Sequence, residues 1–453
     1  MTLRTAELQK LNQEYQMSEN RILIFYGRMG CEKDAYLREF LKDKQYFYYR
    51  AKEVSPSLQR TMIAEEIRKT YQLFLKEDSY ECCFEKVRSR DGSKLVLVID
   101  EFDHILKKDI TFFESILKLK AKKLYRGPVM ILLCSSSLAW VEQKMPQILE
   151  TNMKKIDDIH RISDLNFLDV VRAFPDNSVR ECVEVYGILG GVPAHLKWWD
   201  PKADKKTNIC KQILSPDGRL FGEVQKYLGE ELRELSVYNT ILTEIGTGKR
   251  KLNDLYQSTG YSRAKISVYL KNLMELDIIE KVVSFETGGW ENTQKGVYQI
   301  KNTFVNFWFN FVYPHMSDLY TKTPEEFYEL HIASEIEKYL NRYFVQVCME
   351  YVELLDRVGK LPIQIHKIGT WVGKQGSIDI IAKNAQRENI VGVCNWSEEK
   401  MAYERYLQLD ELMKQAKISA KRYYFFSATE FATELIEKAQ EDERFLLIDM
   451  TEL

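Results

Sequence analysis

The stretch RILIFYGRMGCEKD, residues 21–34, decides the fold of this chain. It opens with a continuous apolar run from Ile22 to Tyr26, which stops at Gly27 and continues into polar residues compatible with a helix. A short apolar run bounded by a turn signal indicates a strand buried on both faces, and glycine permits a tight turn at its end. The stretch therefore predicts a buried strand, a glycine turn and the start of a helix.

Two more apolar runs of the same kind follow along the chain. LVLVI, residues 95–99, ends at Asp100 and Glu101, and VMILLC, residues 129–134, ends at Ser135. Segments with helical periodicity separate the three runs. Strands that alternate with helices predict a parallel α/β sheet with both faces covered.

The glycine turn lies where phosphate-binding loops occur. Such a loop reads Gly-x-x-x-x-Gly-Lys-Ser/Thr: its backbone N–H groups cradle the phosphates, its Lys reaches the β and γ oxygens, and its hydroxyl binds Mg²⁺. Gly27 and Lys33 fit this pattern. Glu32 replaces the second glycine and adds bulk and negative charge near the phosphate position. Asp34, a metal ligand of a different kind, replaces the hydroxyl residue.

The ends of the other two strands supply the remaining parts of such a site. In P-loop enzymes the first acid after the strand holds Mg²⁺ through water, and the second acid activates the attacking water. Asp100 is thus the predicted metal ligand, and Glu101 is the predicted general base if the protein is active. Ser135 and Ser136 follow the third strand, where such folds place a residue that senses the γ-phosphate. ATP and Mg²⁺ are the predicted cofactors if binding is retained.

Three blocks resemble the archaeal-type ATPase family, a branch of the P-loop ATPases: residues 21–34, LVLVIDEFD at 95–103, and YGILGGVPA at 186–194. The resemblance covers nearly the whole chain. The family's loop reads Gly-Arg-Arg-x-x-Gly-Lys-Thr, so Arg28 also matches, while Glu32 and Asp34 depart. The predicted nucleotide-binding residues are Gly27, Arg28, Gly30, Lys33, Asp34 and Ser135.

The resemblance also implies a domain organisation. It predicts a P-loop ATPase-like domain over residues 1–160, a helical lid over 161–230, a winged helix over 231–300, and a C-terminal PD-(D/E)XK-like domain with leading helices over 301–453. The predicted fold class is α/β, with a parallel P-loop sheet followed by a winged helix and a mixed α/β, restriction-endonuclease-like domain.

The middle of the chain has the pattern of three short helices separated by turns, which is typical of helix-turn-helix domains. Residues 249–281 contain seven basic and four acidic residues, a local excess of positive charge. Arg263, Lys265 and Lys271 lie on the third helix and are the predicted DNA contacts, with Gly288-Gly289 turning the wing. Binding of a protein partner or self-association is the alternative, because such domains inside ATPases also bind proteins.

A PD-(D/E)XK nuclease needs an Asp at one strand end and Glu-x-Lys on the next strand, so that the carboxylates hold Mg²⁺. By resemblance to the family, Asp379 stands at the metal-ligand position. Val393 and Asn395 stand where the Glu and Lys belong, and Val345 stands where a helical Glu belongs. One carboxylate cannot form the multi-oxygen site that Mg²⁺ requires. We predict a nuclease-like fold without nuclease chemistry, with Asp379 as a degenerate position.

The composition excludes several other classes of protein. Among 453 residues, 65 Lys+Arg against 67 Asp+Glu give a formal net charge of −2, so no global field directs the protein onto nucleic acid or anionic lipid. The eight cysteines form no Cys-x-x-Cys pair, which indicates reduced thiols. The longest apolar runs fall far short of the ~20 residues that span a bilayer. A cytoplasmic protein without a membrane partner is predicted.

Three functional hypotheses follow. The first is a degenerate ATPase-family protein with weak or absent hydrolysis, whose winged helix binds DNA or a partner. The second is a functional Mg²⁺-ATP-binding ATPase coupled to DNA. The third is a non-enzymatic DNA-binding regulator. Glu32 favours the first, because an uncompensated carboxylate near the phosphates opposes their binding by like-charge repulsion.

Overall fold

The computed structural model describes residues 5–121, 128–285, 296–373, 375–397 and 399–453. The chain divides into two compact units, Met1–Asp164 and Leu165–Leu453. The domain boundaries predicted after residues 160, 230 and 300 stay predictions.

The N-terminal unit is a five-stranded sheet with helices on both faces. Its strands are β1 (Arg21–Tyr26), β2 (Gln45–Arg50), β3 (Leu95–Asp100), β4 (Val129–Ser135) and β5 (Asp158–Arg161). Its helices are α1 (Thr5–Gln16), α2 (Lys33–Leu41), α3 (Pro56–Tyr71), α4 (Tyr80–Phe84), α5 (Asp103–Leu106), α6 (Thr111–Ala121) and α7 (Met145–Leu149). The strands run parallel in the order β2-β3-β4-β1-β5, which confirms the predicted parallel α/β sheet.

Alternate residues of β1 face the two layers of this unit. Ile22 and Ile24 pack into one apolar cluster, together with Phe112 of α6. Leu23 and Phe25 pack into a second cluster on the opposite face, with α1 and α2. Burial of each such side chain stabilises the fold by about 1.5–3 kcal/mol, so the apolar run specifies a central strand.

The strand register brings three chain segments to one edge of this sheet. Tyr26 at the end of β1 lies beside Ser135 at the end of β4, and Asp100 at the end of β3 lies beside Cys134. In open parallel sheets, ligands bind outside the carboxyl ends of the strands. The glycine turn, the two acids and the serines therefore meet where a ligand is expected.

The second unit begins with helices and ends with a separate mixed sheet. Its helices are α8 (Phe167–Ala173), α9 (Val179–Leu189), α10 (Pro193–Leu196), α11 (Lys205–Asn208), α12 (Glu223–Glu231), α13 (Leu235–Gly246), α14 (Leu252–Thr259), α15 (Arg263–Glu275), α16 (Thr303–Phe307), α17 (Met316–Thr321), α18 (Pro324–His331), α19 (Ile336–Arg357), α20 (Glu404–Ala416) and α21 (Thr433–Glu441). Its strands are β6 (Ile279–Val282), β7 (Val297–Ile300), β8 (Lys367–Val372), β9 (Ser377–Lys383), β10 (Asn389–Asn395), β11 (Ala420–Ser427) and β12 (Phe445–Asp449).

The strands of this unit form two sheets. β6 and β7 pair as an antiparallel ladder, and the larger sheet has the order β12-β11-β10-β9-β8. Within it, β8, β9 and β10 are antiparallel, whereas β10, β11 and β12 are parallel. The predicted mixed α/β unit at the C-terminus is confirmed at this level. Across the described ranges, no helix has both the length and the apolarity needed to cross a bilayer.

Candidate nucleotide-binding site

The turn after β1 leaves little space for a Cβ at one position and has left-handed backbone conformations at two others. A Cβ on Gly27 would lie 2.7 Å from the Cys31 Sγ and 2.8 Å from the Ile162 carbonyl oxygen. Gly30 has a φ of 86° and Glu32 a φ of 62°, both in the left-handed region. This region costs a residue with a Cβ roughly 1–2 kcal/mol, so Glu32 occupies a conformation that favours glycine. Glu32 thus has a left-handed backbone at the position where the phosphate-loop pattern has its second glycine.

Helix α2 starts directly after this strained residue. The N–H groups of Ala35 and Tyr36 both donate to the Glu32 carbonyl oxygen, while the Glu32 side chain makes no capping hydrogen bond. A helix N-terminus attracts anions through its unpaired N–H groups and its dipole. Glu32 precedes α2 and Asp34 lies in its first turn, so this helix N-terminus carries two acidic residues.

Lys33 is buried and is bonded to both predicted acids. Its Nζ donates to Asp100 Oδ1 at 2.7 Å, to Glu101 Oε1 at 3.1 Å and to Ser136 Oγ at 3.2 Å. Burial lowers the pKa of Lys33, but the neighbouring acidic groups of Cys134, Asp100 and Glu101 outweigh it, so the pKa is above its ordinary value. The ammonium group is therefore charged, with three acceptors around it.

Both carboxylate oxygens of Glu101 accept hydrogen bonds. The Ser136 N–H donates to Oε2 at 2.9 Å, and the Ser136 hydroxyl donates to Oε1 at 2.6 Å. Burial raises the pKa of Glu101, but Lys33 and Ser136 lower it by more than burial raises it. The pKa is therefore below its ordinary value. A carboxylate held in this way is a weak general base, because it has little tendency to take up a proton.

The two serines after β4 have different surroundings. Ser136 joins Lys33 and Glu101, as described above. Ser135, the predicted phosphate contact, is fully buried, and its hydroxyl donates to Asp103 Oδ1 at 2.9 Å. Ser135 is the last residue of β4, whereas Ser136 lies in the bend that follows it, so the two side chains meet different groups.

Arg28 lies in the loop but is held by an acid that the motifs did not indicate. Its Nε donates to Asp164 Oδ1 at 2.7 Å, and its Nη2 donates to the other carboxylate oxygen. Such bidentate pairs are among the stronger hydrogen-bonded interactions in proteins. A phosphate would have to compete with Asp164 for this guanidinium group.

Strand β2 contributes two further residues that the sequence motifs did not indicate. The Tyr48 hydroxyl donates to Asp100 Oδ2 at 2.8 Å. Burial and the Asp100 carboxylate raise the pKa of Tyr48. The Arg50 guanidinium lies 3.6 Å from Asp100 Oδ2 and 3.7 Å from Glu101 Oε1. The alternating exposure of β2 places Tyr48 and Arg50 on one face, but its sequence, QYFYYR, does not show this alternation.

The donor set suits a magnesium ion completed by phosphate. Asp100 and Glu101 offer carboxylate oxygens, and Mg²⁺ is usually held by one or two carboxylates together with substrate phosphates and water. Among the described residues, no three His, Cys, Asp or Glu side chains are arranged to hold a metal ion by themselves. The side chains thus fit Mg²⁺ with a nucleotide, provided that Lys33 releases Asp100.

The predicted DNA contacts lie on α15 and are exposed. The Arg263 guanidinium lies 4.6 Å from the centre of the Tyr256 ring, and Lys265 Nζ lies 4.8 Å from that of Tyr261. The side chain of Lys271 is 73 % exposed. The antiparallel ladder of β6 and β7 follows this helix. The predicted turn at Gly288-Gly289 lies outside the described residues.

Asp379, predicted to be a degenerate nuclease position, lies on β9. Asp379 Oδ2 accepts a hydrogen bond from the Cys394 N–H at 2.9 Å. Burial raises the pKa of Asp379, and the Cys394 amide and Arg405 offset only part of this effect. On the neighbouring strand Val393 is buried, and the Asn395 amide donates to a backbone carbonyl group.

A parallel sheet, a glycine turn before α2, a buried lysine and two acids at the end of β3 define a P-loop ATPase domain. Residues 2–198 match the family described as an ATPase domain predominantly from Archaea. Residues 308–407 match a family described as archaeal and bacterial proteins of unknown function. The resemblance to the archaeal-type P-loop ATPases is confirmed, and the N-terminal part is an ATPase domain of that type.

The chain is similar to several archaeal proteins. An uncharacterised protein of Methanocaldococcus jannaschii is 25 % identical over 390 residues, which cover 84 % of each chain. The Walker-type ATPase of Pyrococcus abyssi is 15 % identical, with a TM-score of 0.47 over 68 % of this chain and 96 % of that one. The ORC2 protein of Aeropyrum pernix is 12 % identical, with a TM-score of 0.42 over 68 % of this chain and 92 % of that one.

Proposed function

We propose that this ATPase-family protein binds Mg²⁺-ATP weakly and hydrolyses it slowly or not at all. The observation that carries the proposal is the engagement of Lys33 with both Asp100 and Glu101, next to the added carboxylates of Glu32 and Asp34. A phosphate must compete with two buried acids for one ammonium group, and it must approach two further negative charges.

The balance of charge makes binding depend on the metal. The carboxylates of the site outnumber its two positive charges, those of Lys33 and Arg50, because Arg28 is neutralised by its bidentate pair. A free nucleotide would meet a net negative site. Mg²⁺ would supply the missing positive charge and polarise the phosphate oxygens.

The residues have separable roles in this proposal. Asp100, positioned by the Tyr48 hydroxyl, would hold Mg²⁺, while Lys33 and the N–H groups at the start of α2 would bind phosphate. Glu101 would become available as a base only after Lys33 and Ser136 release it. Hydrolysis is therefore the step that the unliganded arrangement opposes most.

Calorimetric titration with Mg²⁺-ATP tests this proposal. We expect Glu32→Gly to tighten binding by about tenfold, or about 1.4 kcal/mol, because it removes a charge and places glycine at a left-handed position. Glu32→Gln removes the charge alone and should give part of the gain. Glu39→Gln is the matched control, since Glu39 is exposed on the same helix.

Two results would contradict the proposal. One is tight binding with rapid turnover by the natural chain. The other is a Glu32→Gly variant that binds Mg²⁺-ATP no better than the Glu39→Gln control.

We also propose that the elements from α13 to β7 form a winged helix that binds DNA. Three helices followed by an antiparallel ladder support this assignment, as do the exposed cations of α15, two of which rest on tyrosine rings. The face of a tyrosine ring attracts a cation and so helps to hold it on the surface of the helix. Phosphate contacts made by them would show in the salt dependence of binding.

A mobility-shift titration in salt with duplex DNA tests the DNA contacts. Changing Arg263 and Lys265 together to Ala should reduce the slope of log K against log salt by about two, since each phosphate contact contributes about 0.9. Lys338→Ala with Lys360→Ala removes the same charge from exposed positions and should leave the slope unchanged. An unaltered slope in the α15 variant would assign these helices to a protein partner instead.

We propose that the C-terminal mixed sheet has no nuclease activity. The buried Asp379 carboxylate already accepts the Cys394 amide, and the neighbouring Val393 offers no oxygen to a metal. Incubation of plasmid DNA with the chain and Mg²⁺ or Mn²⁺ should leave it intact. Nicking that disappears in Asp379→Asn would show the opposite.

A further inference from the structure

We infer that Arg50 binds the terminal phosphate of the nucleotide and gives the site a preference for triphosphates over diphosphates. This inference rests on the proposed nucleotide binding and adds to it a residue from β2 and a class of ligand. The family motifs do not include this residue.

Arg50 lies over the carboxylates of the site. It ends β2 directly opposite Asp100 of β3, and its guanidinium approaches Asp100, Glu101 and Asp34 at 3.6, 3.7 and 3.8 Å. Its side chain is 56 % exposed. These separations exceed the roughly 2.7–3.2 Å of a hydrogen bond, so charge holds the group in place without fixing its N–H donors.

The two cations of the loop region, Lys33 and Arg28, already donate hydrogen bonds within the protein. Lys33 donates three hydrogen bonds, and Arg28 forms a bidentate pair with Asp164. In the described part of the chain, the Arg50 guanidinium donates no hydrogen bond within the protein. An incoming phosphate can therefore gain charge-assisted hydrogen bonds from Arg50 at the expense of weaker ion pairs.

The sheet order indicates which phosphate Arg50 reaches. The loop that cradles phosphates follows β1, whereas β2 lies three strands away, beyond β4 and β3. Neighbouring strands are about 4.8 Å apart, so Arg50 lies at the outer end of the site. Its guanidinium lies over Asp100 and Glu101, the acids expected to hold Mg²⁺ and to activate the attacking water, so we assign to it the terminal phosphate rather than the two that the loop would hold.

Asp34 fits the same arrangement. It stands where the family has a hydroxyl residue, and its carboxylate lies on the Arg50 side of the site. Without nucleotide, Arg50 offsets this added negative charge. A pocket of about 430 Å³ lies between α2 and β2, and Asp34 and Tyr48 are among the residues that line it.

The test is calorimetric titration of the full chain with Mg²⁺-ATP and with Mg²⁺-ADP. Arg50→Gln should weaken Mg²⁺-ATP binding by about tenfold and change Mg²⁺-ADP binding by less than about twofold. Arg50→Lys should retain part of the preference, because it keeps the charge but not the fork of donors. Arg90→Gln, an exposed arginine of the same unit, should change neither affinity. Thermal unfolding of each variant checks that it is folded.

The outcomes separate this inference from the proposed function. Suppose that the natural chain binds nucleotide and that Arg50→Gln lowers the affinities for ATP and ADP equally, or changes neither affinity. The role of Arg50 is then overturned, while nucleotide binding stands. If the natural chain and Glu32→Gly both bind no nucleotide, the two proposals fall together. A selective loss for ATP supports both.

Discussion

Lys33→Met should lower the free energy of unfolding by about 3–5 kcal/mol, because it removes the ammonium group that donates hydrogen bonds to both buried carboxylates and leaves only the more distant ion pairs with Arg50. Lys33 is 5 % exposed and Asp100 is fully buried, so water cannot replace the lost ammonium group. At roughly 2–4 °C per kcal/mol for a domain of this size, the unfolding midpoint of the N-terminal unit should fall by about 10 °C. Differential scanning calorimetry measures this shift, and Lys42→Met, an exposed lysine at the end of α2, is its control.

The loss of stability caused by Lys33→Met should also depend on pH. The pKa of Glu101 is lowered in the folded state, so its contribution is complete above the pKa of an unfolded Glu, about 4.3, and disappears as the pH falls through the folded value. The difference between the natural chain and Lys33→Met should be full at pH 7 and should shrink below about pH 4. An equal difference at pH 7 and pH 3 would mean that the carboxylates are not its cause.

Gly191→Ala should destabilise the second unit by about 3 kcal/mol. A Cβ at this position would lie 1.8 Å from the Leu165 carbonyl oxygen and 2.7 Å from its carbonyl carbon. The two backbones are also joined by a hydrogen bond from the Leu165 N–H to the Gly191 oxygen at 2.8 Å. Since both contacts are with backbone, the neighbour cannot move aside as a side chain would. Urea unfolding with an unchanged m-value measures the loss.

Gly229→Ala is the matched control for this prediction. Gly229 lies inside α12, and the nearest atom to an added Cβ is Leu235 Cδ1 at 3.6 Å. Alanine is a better helix former than glycine, so stability should stay the same or rise by up to about 1 kcal/mol. Equal losses at both glycines would rule out the close backbone approach as the cause.

The central strands could be predicted because the sequence of each contains an uninterrupted apolar run. β1, β3 and β4 are covered on both faces, so nearly every position must be apolar. β2 was missed because it alternates exposed tyrosines with buried residues, and β5 because it has four mostly polar residues. Edge strands carry weaker sequence signals than central ones.

The candidate site could be predicted only as far as local motifs reach. Lys33, Asp100 and Glu101 follow strands with a recognisable pattern, and the structure brings them together. Tyr48 and Arg50 come from the missed strand, so their contacts depend on a strand pairing that is distant in sequence. The left-handed backbone of Glu32 could not be predicted either, because residues other than glycine rarely have a positive φ.

The conformation of Glu32 has a consequence for how this loop can evolve. Its backbone already has the left-handed conformation that glycine adopts without strain, so a change to glycine requires no rearrangement of the turn. Glutamate and glycine codons differ by a single base. Aspartate and threonine codons differ by two, so the threonine of the pattern at position 34 requires two base changes. One point mutation is therefore enough to place at position 32 the glycine that the phosphate-loop pattern has there.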